Sequence, residues 1–139
     1  MSTRLNPYLT FPGTAREAMT FYQSVFGGTL EVMTFADAGA EGVPDPQQVM
    51  HAYLESPSGY VLMASDLPPG TEHQPGSSIS VSLSGDATGE LRGYWSALTA
   101  DGTVTMPLEL QMWGDEFGAC TDRFGVSWMV NIAGPGQQG

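Results

Sequence analysis

The sequence predicts an α+β domain: two tandem β-α-β-β-β modules forming a curled mixed sheet around a cavity, with the helices on the outer face. Three observations carry this expectation. Several short runs alternate apolar and polar residues, and two longer ones place apolar residues at helical spacing. The order of these runs repeats across a proline- and glycine-rich stretch at residues 67–76. The halves also match in detail, because Phe21-Tyr22 then Gly28-Thr29 in the first correspond to Tyr94-Trp95 then Gly102-Thr103 in the second. At 139 residues the chain has room for one domain with a real core. Its expected parts are a module over residues 5–66, a linker over 67–76, a module over 77–133 and a Gly/Pro/Gln tail at 134–139 that frays.

Residues 5–11 alternate and then meet Pro12-Gly13, so they read as a strand ended by a turn, with Asn6, Tyr8 and Thr10 on one face. Thr14 with Glu17 three residues on reads as a capping box, and Ala18, Phe21, Tyr22, Val25 and Phe26 follow at helical spacing until Gly27-Gly28. Residues 29–35 form a second strand, 36–48 a loop fit to rim a pocket, and 49–55 with 60–65 a hairpin around Ser56-Pro57-Ser58-Gly59. In the second half the same order gives a strand at 77–83, a break at Gly85, a helix at 88–99 with Leu91, Tyr94, Trp95 and Leu98 on one stripe, and a strand from Thr103. The chain then makes a second hairpin turning at Asp122-Arg123-Phe124-Gly125. In its last arm Val126, Trp128, Val130 and Ile132 share the core face, and Ser127, Met129 and Asn131 the other.

Charge narrows the partners. Four arginines and no lysine stand against fifteen acids, a net charge of −11. A Schiff-base lysine is excluded, and nucleic acid and anionic membrane are poor partners because their phosphates would go unneutralised. A cationic or neutral ligand fits better, while solubility alone is the plainer reading. No apolar run approaches the ~18 residues of a membrane span, and no apolar stretch follows Met1-Ser2-Thr3-Arg4, so a cytoplasmic protein is expected. Cys120 has no partner for an intrachain disulfide and reads as a small core residue, not a nucleophile.

Candidate site residues follow from faces. His51 shares one side of its strand with Val49, Tyr53 and Glu55; facing a cavity, its imidazole can act as a general base near neutral pH, oriented by Glu55 or Tyr53. The plainer alternative is a hydrogen-bonded structural histidine. Trp113 with Asp115 and Glu116 offers an aromatic plate beside carboxylates, suited to a flat or cationic ligand, or else a tryptophan plugging a sheet edge beside two solvated acids. Met63, Met112 and Met129, with Met33 and Met106, give a soft lining if they do not simply pack the core. Ser78, Ser80 and Ser82 share one face of the fifth strand, which argues for a wet pocket opposite the helices.

Taken together, Leu5-Asn6-Pro7-Tyr8-Leu9, Ala18-Met19, Val25-Phe26-Gly27-Gly28, Val49-Met50-His51-Ala52, Leu62-Met63-Ala64-Ser65-Asp66, Trp113-Gly114-Asp115 and Phe124-Gly125-Val126 with Trp128 resemble the vicinal oxygen chelate superfamily. This is the glyoxalase and bleomycin-resistance fold, and the resemblance is to its demethylubiquinone methyltransferase-like branch. Where that branch usually has proline after the turn aspartate, this chain has Arg123, and it carries no glycine-rich unit of the kind a bound methyl donor calls for. By the resemblance, Asn6, Met63, Ser78 and Met129 occupy the positions where metal-dependent members carry their ligands. None is a good donor for a hard or borderline cation, so no metal and no cofactor are expected. The resemblance implies a homodimer and a metal-free binding protein, holding an apolar or cationic small molecule between the Trp113 region, Tyr8, the serine face and the methionines. The alternative is an enzyme in which His51, with Glu55 or Asp115, performs acid–base chemistry on a small metabolite.

Overall fold

The computed structural model describes residues 3–68, 71–74, 76 and 78–134. Contacts divide the chain into two units, Met1–Gln74 and Pro75–Gly139, each built on its own sheet. The first runs β1 (Tyr8–Phe11), α1 (Ala15–Phe26), β2 (Thr29–Thr34), β3 (Val49–Glu55) and β4 (Val61–Asp66). The second repeats the order as β5 (Val81–Gly85), α2 (Thr88–Thr99), β6 (Thr103–Leu110), β7 (Glu116–Thr121) and β8 (Ser127–Ile132). The sheet orders are β1-β4-β3-β2 and β5-β8-β7-β6. In each, the first strand lies parallel to the last and the remaining pairs are antiparallel. The α+β class and the β-α-β-β-β repeat stand as expected, with the strands shared between two four-stranded mixed sheets.

One helix covers one face of each sheet. In the first unit Ala52, Leu54, Leu62 and Ala64 are buried on the same side as Ala15, Ala18, Met19, Tyr22 and Phe26 of α1. In the second, Trp128, Val130, Ile132 and Cys120 are buried with Leu91 and Leu98 of α2. Strand alternation puts the intervening residues on the opposite, open face.

The repeat extends to atomic detail. In the β3–β4 turn Ser56 N–H donates to the Tyr60 carbonyl, Gly59 N–H to the Ser56 carbonyl and Tyr60 N–H to Ser56 Oγ. The β7–β8 turn makes the same three bonds with Asp122, Gly125 and Val126. Gly59 and Gly125 hold φ of 89° and 90°, the left-handed region that the turn requires. Ahead of β2 and β6, a Cβ on Gly28 would lie 2.0 Å from the Glu55 carbonyl oxygen, and one on Gly102 2.6 Å from that of Thr121. Only glycine lets the strand entering each module's hairpin press against its neighbour so closely.

Several local expectations are corrected. Thr14 makes no side-chain cap bond. The start of α1 is held instead by the buried Asp66, whose Oδ1 accepts from Ala15 N at 2.9 Å while Oδ2 accepts from Val49 N at 2.9 Å. The first strand begins at Tyr8, not residue 5, and the fifth at Val81, not residue 77. Both are edge strands with a single neighbour: β1 pairing begins with Tyr8 opposite Met63 and β5 pairing with Val81 opposite Trp128, and Ser78 and Ser80 lie ahead of it. Ser77, parts of the expected linker and residues 135–139 of the expected frayed tail lie outside the described residues. A register shift between Met33 and Thr34 pairs Thr34 with Val49, so buried Val49 leaves the face of His51 for the helix side.

Asp66→Ala leaves the buried N–H groups of Ala15 and Val49 without their acceptor. We expect a loss of about 2–4 kcal/mol in urea unfolding. A loss below about 0.5 kcal/mol would mean that water replaces the carboxylate at no cost.

Candidate functional site

The open face of the first unit collects most of the chemistry. Register aligns Tyr8, Met63, Tyr53 and Glu31 in one row across all four strands. Beside that row, Thr10 pairs with Ser65 and His51 with Met33. Tyr8 Oη stands 3.5 Å from His51 Nδ1, the rings tilted at 34° with centroids 6.0 Å apart. Tyr53 Oη accepts from Arg4 Nη1 at 3.0 Å and donates to Glu55 Oε1 at 3.4 Å. Two concave regions open on this face. One, of about 620 Å³, is lined by Glu31, Val32, Met33, His51 and Tyr53. The other, of about 580 Å³, runs along Thr29, Glu31, Tyr53 and Glu55 to Pro57. Tyr8 and Met33 are 49% and 46% exposed, so an aromatic ring and a thioether meet solvent here, not core.

Of the sequence candidates, His51, Tyr8 and Met63 share this face, and Glu55 reaches it through Tyr53 and not through His51. Asn6 lies half-buried ahead of β1. Glu31 and Arg4 were not singled out. The alternation of β2 already put Glu31 on a face with Met33, whereas nothing local foretells that Arg4 reaches Tyr53.

In the second unit the equivalent row is Ser82, Met129, Ala119 and Met106. Ser82, not Ser78 or Ser80, therefore stands beside Met129; the latter two serines are exposed ahead of the strand. Trp113 is 53% exposed in the turn between β6 and β7, its ring 6.4 Å from Phe117. Asp115 acts as a brace: its carboxylate accepts from Asn131 Nδ2 at 3.0 Å and from Gly134 N at 2.9 Å. These bonds, the Asn131 one first, hold its pKa below the usual carboxylate value. Glu116 pairs with Arg92 at 2.7 Å.

This architecture, a tandem β-α-β-β-β repeat with one helix-free sheet face per module, is the glyoxalase and bleomycin-resistance fold. A glyoxylase/bleomycin resistance protein/dioxygenase domain from Frankia matches it with a TM-score of 0.65 over 99% of this chain and 96% of that one, at 15% identity, a likeness of fold alone. Within that class, the chain belongs to the 3-demethylubiquinone-9 3-methyltransferase family, whose model matches residues 3–131. Protein PA1353 of Pseudomonas aeruginosa is similar at 41% identity and a TM-score of 0.84, covering 96% of this chain and 99% of its own. Protein YjdN of Escherichia coli K12 is 29% identical over 140 residues, 92% of this chain and 94% of that protein.

A metal ion of the kind the resemblance implies does not fit the donors at the matching positions. Taken unit by unit, the amide of Asn6 and thioether of Met63 in the first, and the thioether of Met129 with the hydroxyl of Ser82 (where Ser78 was expected) in the second, include neither imidazole nor carboxylate. Among the described residues no three His, Cys, Asp or Glu side chains stand close enough to hold an ion. No described helix is long and apolar enough to cross a membrane.

Cys120 is buried in β7, and its thiol is pushed up to about 11 by desolvation, with the Asp122 carboxylate adding to the effect. The thiol is thus neutral through the ordinary pH range. Iodoacetamide at pH 8 should leave Cys120 unmodified in the native protein and alkylate it on unfolding in urea, as mass spectrometry would show. Rapid native alkylation would place a thiolate where burial forbids one.

Proposed function

We propose that this protein is a metal-free small-molecule binding protein holding an apolar or cationic ligand on the open sheet face of its first module. One observation carries this reading: Tyr8, Tyr53, Met33 and Met63 stand with the carboxylates Glu31 and Glu55 on a concave face that its own module's helix does not cover. Aromatic faces attract cations through their quadrupole, thioethers adapt to irregular apolar shapes, and two carboxylates supply the charge. Trp113 and the row of Ser82 and Met129 give the second module soft and aromatic contacts of the same kind. Asn6, ahead of β1, is proposed as a further contact of the first module; in the second module by itself, Ser78, Ser80 and Asp115 are proposed as contacts beside Trp113 and Met129. The assembly that goes with this reading is a cytoplasmic homodimer. Methyl transfer, which the family description names, is not proposed, because the sequence has no glycine-rich strand–turn–helix for a nucleotide-like methyl donor.

The second reading is acid–base catalysis by His51, favoured by the Tyr8 hydroxyl at 3.5 Å from Nδ1. If the phenol donates to Nδ1, Nε2 carries the proton and acts as a general acid; if Nδ1–H donates to the phenol oxygen, Nε2 is the free base. Tyr8 then takes the orienting role expected of Glu55 or Tyr53.

The aromatic cation thioflavin T tests the binding reading. We expect saturable binding without chemical change, weakened about tenfold, or about 1.4 kcal/mol, by Tyr53→Ala. Stoichiometric zinc, nickel or iron in protein purified without chelator would overturn the metal-free claim, and turnover of a metabolite abolished by a folded His51→Ala variant would favour the enzyme.

A further inference from the structure

The segment ahead of β1 turns one cation onto the proposed binding face. Arg4 Nη1 donates to Tyr53 Oη, which itself donates to Glu55 Oε1, so the guanidinium heads a phenol–carboxylate chain. Tyr53 lines both concave regions, and Glu31 lines both beside it. Where the other arginines have partners they are elsewhere: Arg92 pairs with Glu116, and Arg123 reaches Asp101 and the Ala100 carbonyl. Arg16 lies exposed on α1.

The segment is lightly held. Its neighbour Leu5 is 99% exposed, so no apolar packing fixes the chain at this point. Among the described residues the backbone is tied further along, where Met63 N–H donates to the Pro7 carbonyl at 3.2 Å. Pro7 stiffens the chain between that tie and Arg4. The hydrogen bond from Arg4 to Tyr53 is solvent-exposed, and water can replace it at little cost.

We propose that Arg4 is a displaceable internal cation, a clasp over the Tyr53 end of the face that an organic cation must dislodge to bind. This rests on the binding reading above and adds regulation of the same site. The clasp and the ligand use the same chemistry, a positive charge at the Tyr53 phenol with carboxylates nearby, so they compete. Apparent affinity falls by the fraction of molecules in which the clasp is open. A clasp closed in about two-thirds to nine-tenths of molecules therefore weakens binding by about three- to tenfold. The N-terminal segment thereby sets a threshold of affinity, below which weak cations are kept out.

The test compares the full chain with its Arg4→Ala variant, titrated with thioflavin T and with the anionic dye anilinonaphthalene sulfonate. Nitrogen-15 spectra of the arginine Nε–Hε groups serve as the second readout, since only four arginines contribute. We expect Arg4→Ala to tighten thioflavin T binding by about three- to tenfold. The Arg4 signal should shift when thioflavin T saturates the wild type, and shift likewise in Tyr53→Phe, which removes the acceptor and keeps the ring. Equal affinity in wild type and variant, with an unmoved Arg4 signal, overturns the clasp alone. Weaker thioflavin T binding in the variant, or anionic-dye binding that Arg4→Ala abolishes, also overturns it by making Arg4 a ligand contact. No thioflavin T binding to either protein overturns both the clasp and the binding reading.

Discussion

Each module has a single helix to cover a four-stranded sheet, and that constraint governs the rest of the structure. A 12-residue helix shields one sheet face, so only one of the two alternating sets of strand residues enters the module's core. The helix-facing set is therefore apolar nearly throughout, with alanine or glycine where the helix comes closest. Gly118 in β7 is the extreme case, because a Cβ there would lie 2.8 Å from the ring of Trp95. The other set is released from packing against its own helix and is free to carry tyrosine, histidine, methionine, serine and glutamate. The proposed site follows from this division before any single residue is considered.

The acidic balance of the chain has a structural explanation as well. Its short acids do much of the internal bracing. Asp37 holds the end of β2 through Thr34 N, Asp66 joins α1 to β3, and Asp115 ties β7 to β8. Asp122 accepts from Phe124 N, Val126 N and the indole of Trp128 at once. An aspartate carboxylate sits close enough to the backbone to meet N–H groups at strand and helix ends, as a cap does. Glu31 and Glu55 carry one more methylene and reach out over the open face instead. Asp37 and Asp115 have lowered pKa values, each chiefly because hydrogen-bond donors favour the charged form. A lowered folded value means that the stability they lend is present above the ordinary carboxylate pKa and lost as pH falls through the folded one.

What the sequence made legible follows from the range of the interactions involved. The bounds of β3 and α2, the turn at residues 122–125 and the core face of β8 all matched, because each is written in neighbouring residues as period, propensity and turn chemistry. The misplaced features depend on partners distant in the chain. Thr14 and Glu17 form a plausible cap by local pattern, yet Asp66, 51 residues from Ala15, supplies it. Residues 77–80 alternate as well as any strand does, but an edge strand forms only where its single neighbour pairs with it, and that pairing begins with Val81 opposite Trp128. Of the expected serine face Ser82 stands in the strand, joined by Ser84, and the two oppose Met129 and Asn131 while Ser78 and Ser80 lie ahead of the pairing. The bulge beside His51 was invisible for the same reason, since it arises in the pairing of two strands and not in either one.

The repeat also explains why the two modules do not share the chemistry equally. Aligned on their matching turns, the central rows read Tyr8-Met63-Tyr53-Glu31 in the first module and Ser82-Met129-Ala119-Met106 in the second. Methionine holds the same place in both, so neither module offers an imidazole or carboxylate there. The flanking positions diverge: tyrosine against serine, tyrosine against alanine, glutamate against methionine. His51 corresponds by the same alignment to Phe117. The glycines and turn residues that build each module match while the open-face residues do not, as expected if the former answer to the fold and the latter to a ligand. Hydrogen-bonding, charged and aromatic groups are concentrated on the first module, whereas the second keeps a softer and less polar row. Under the proposed binding reading, charge and orientation are therefore supplied by the Tyr8, His51, Tyr53 and Glu31 side of the repeat.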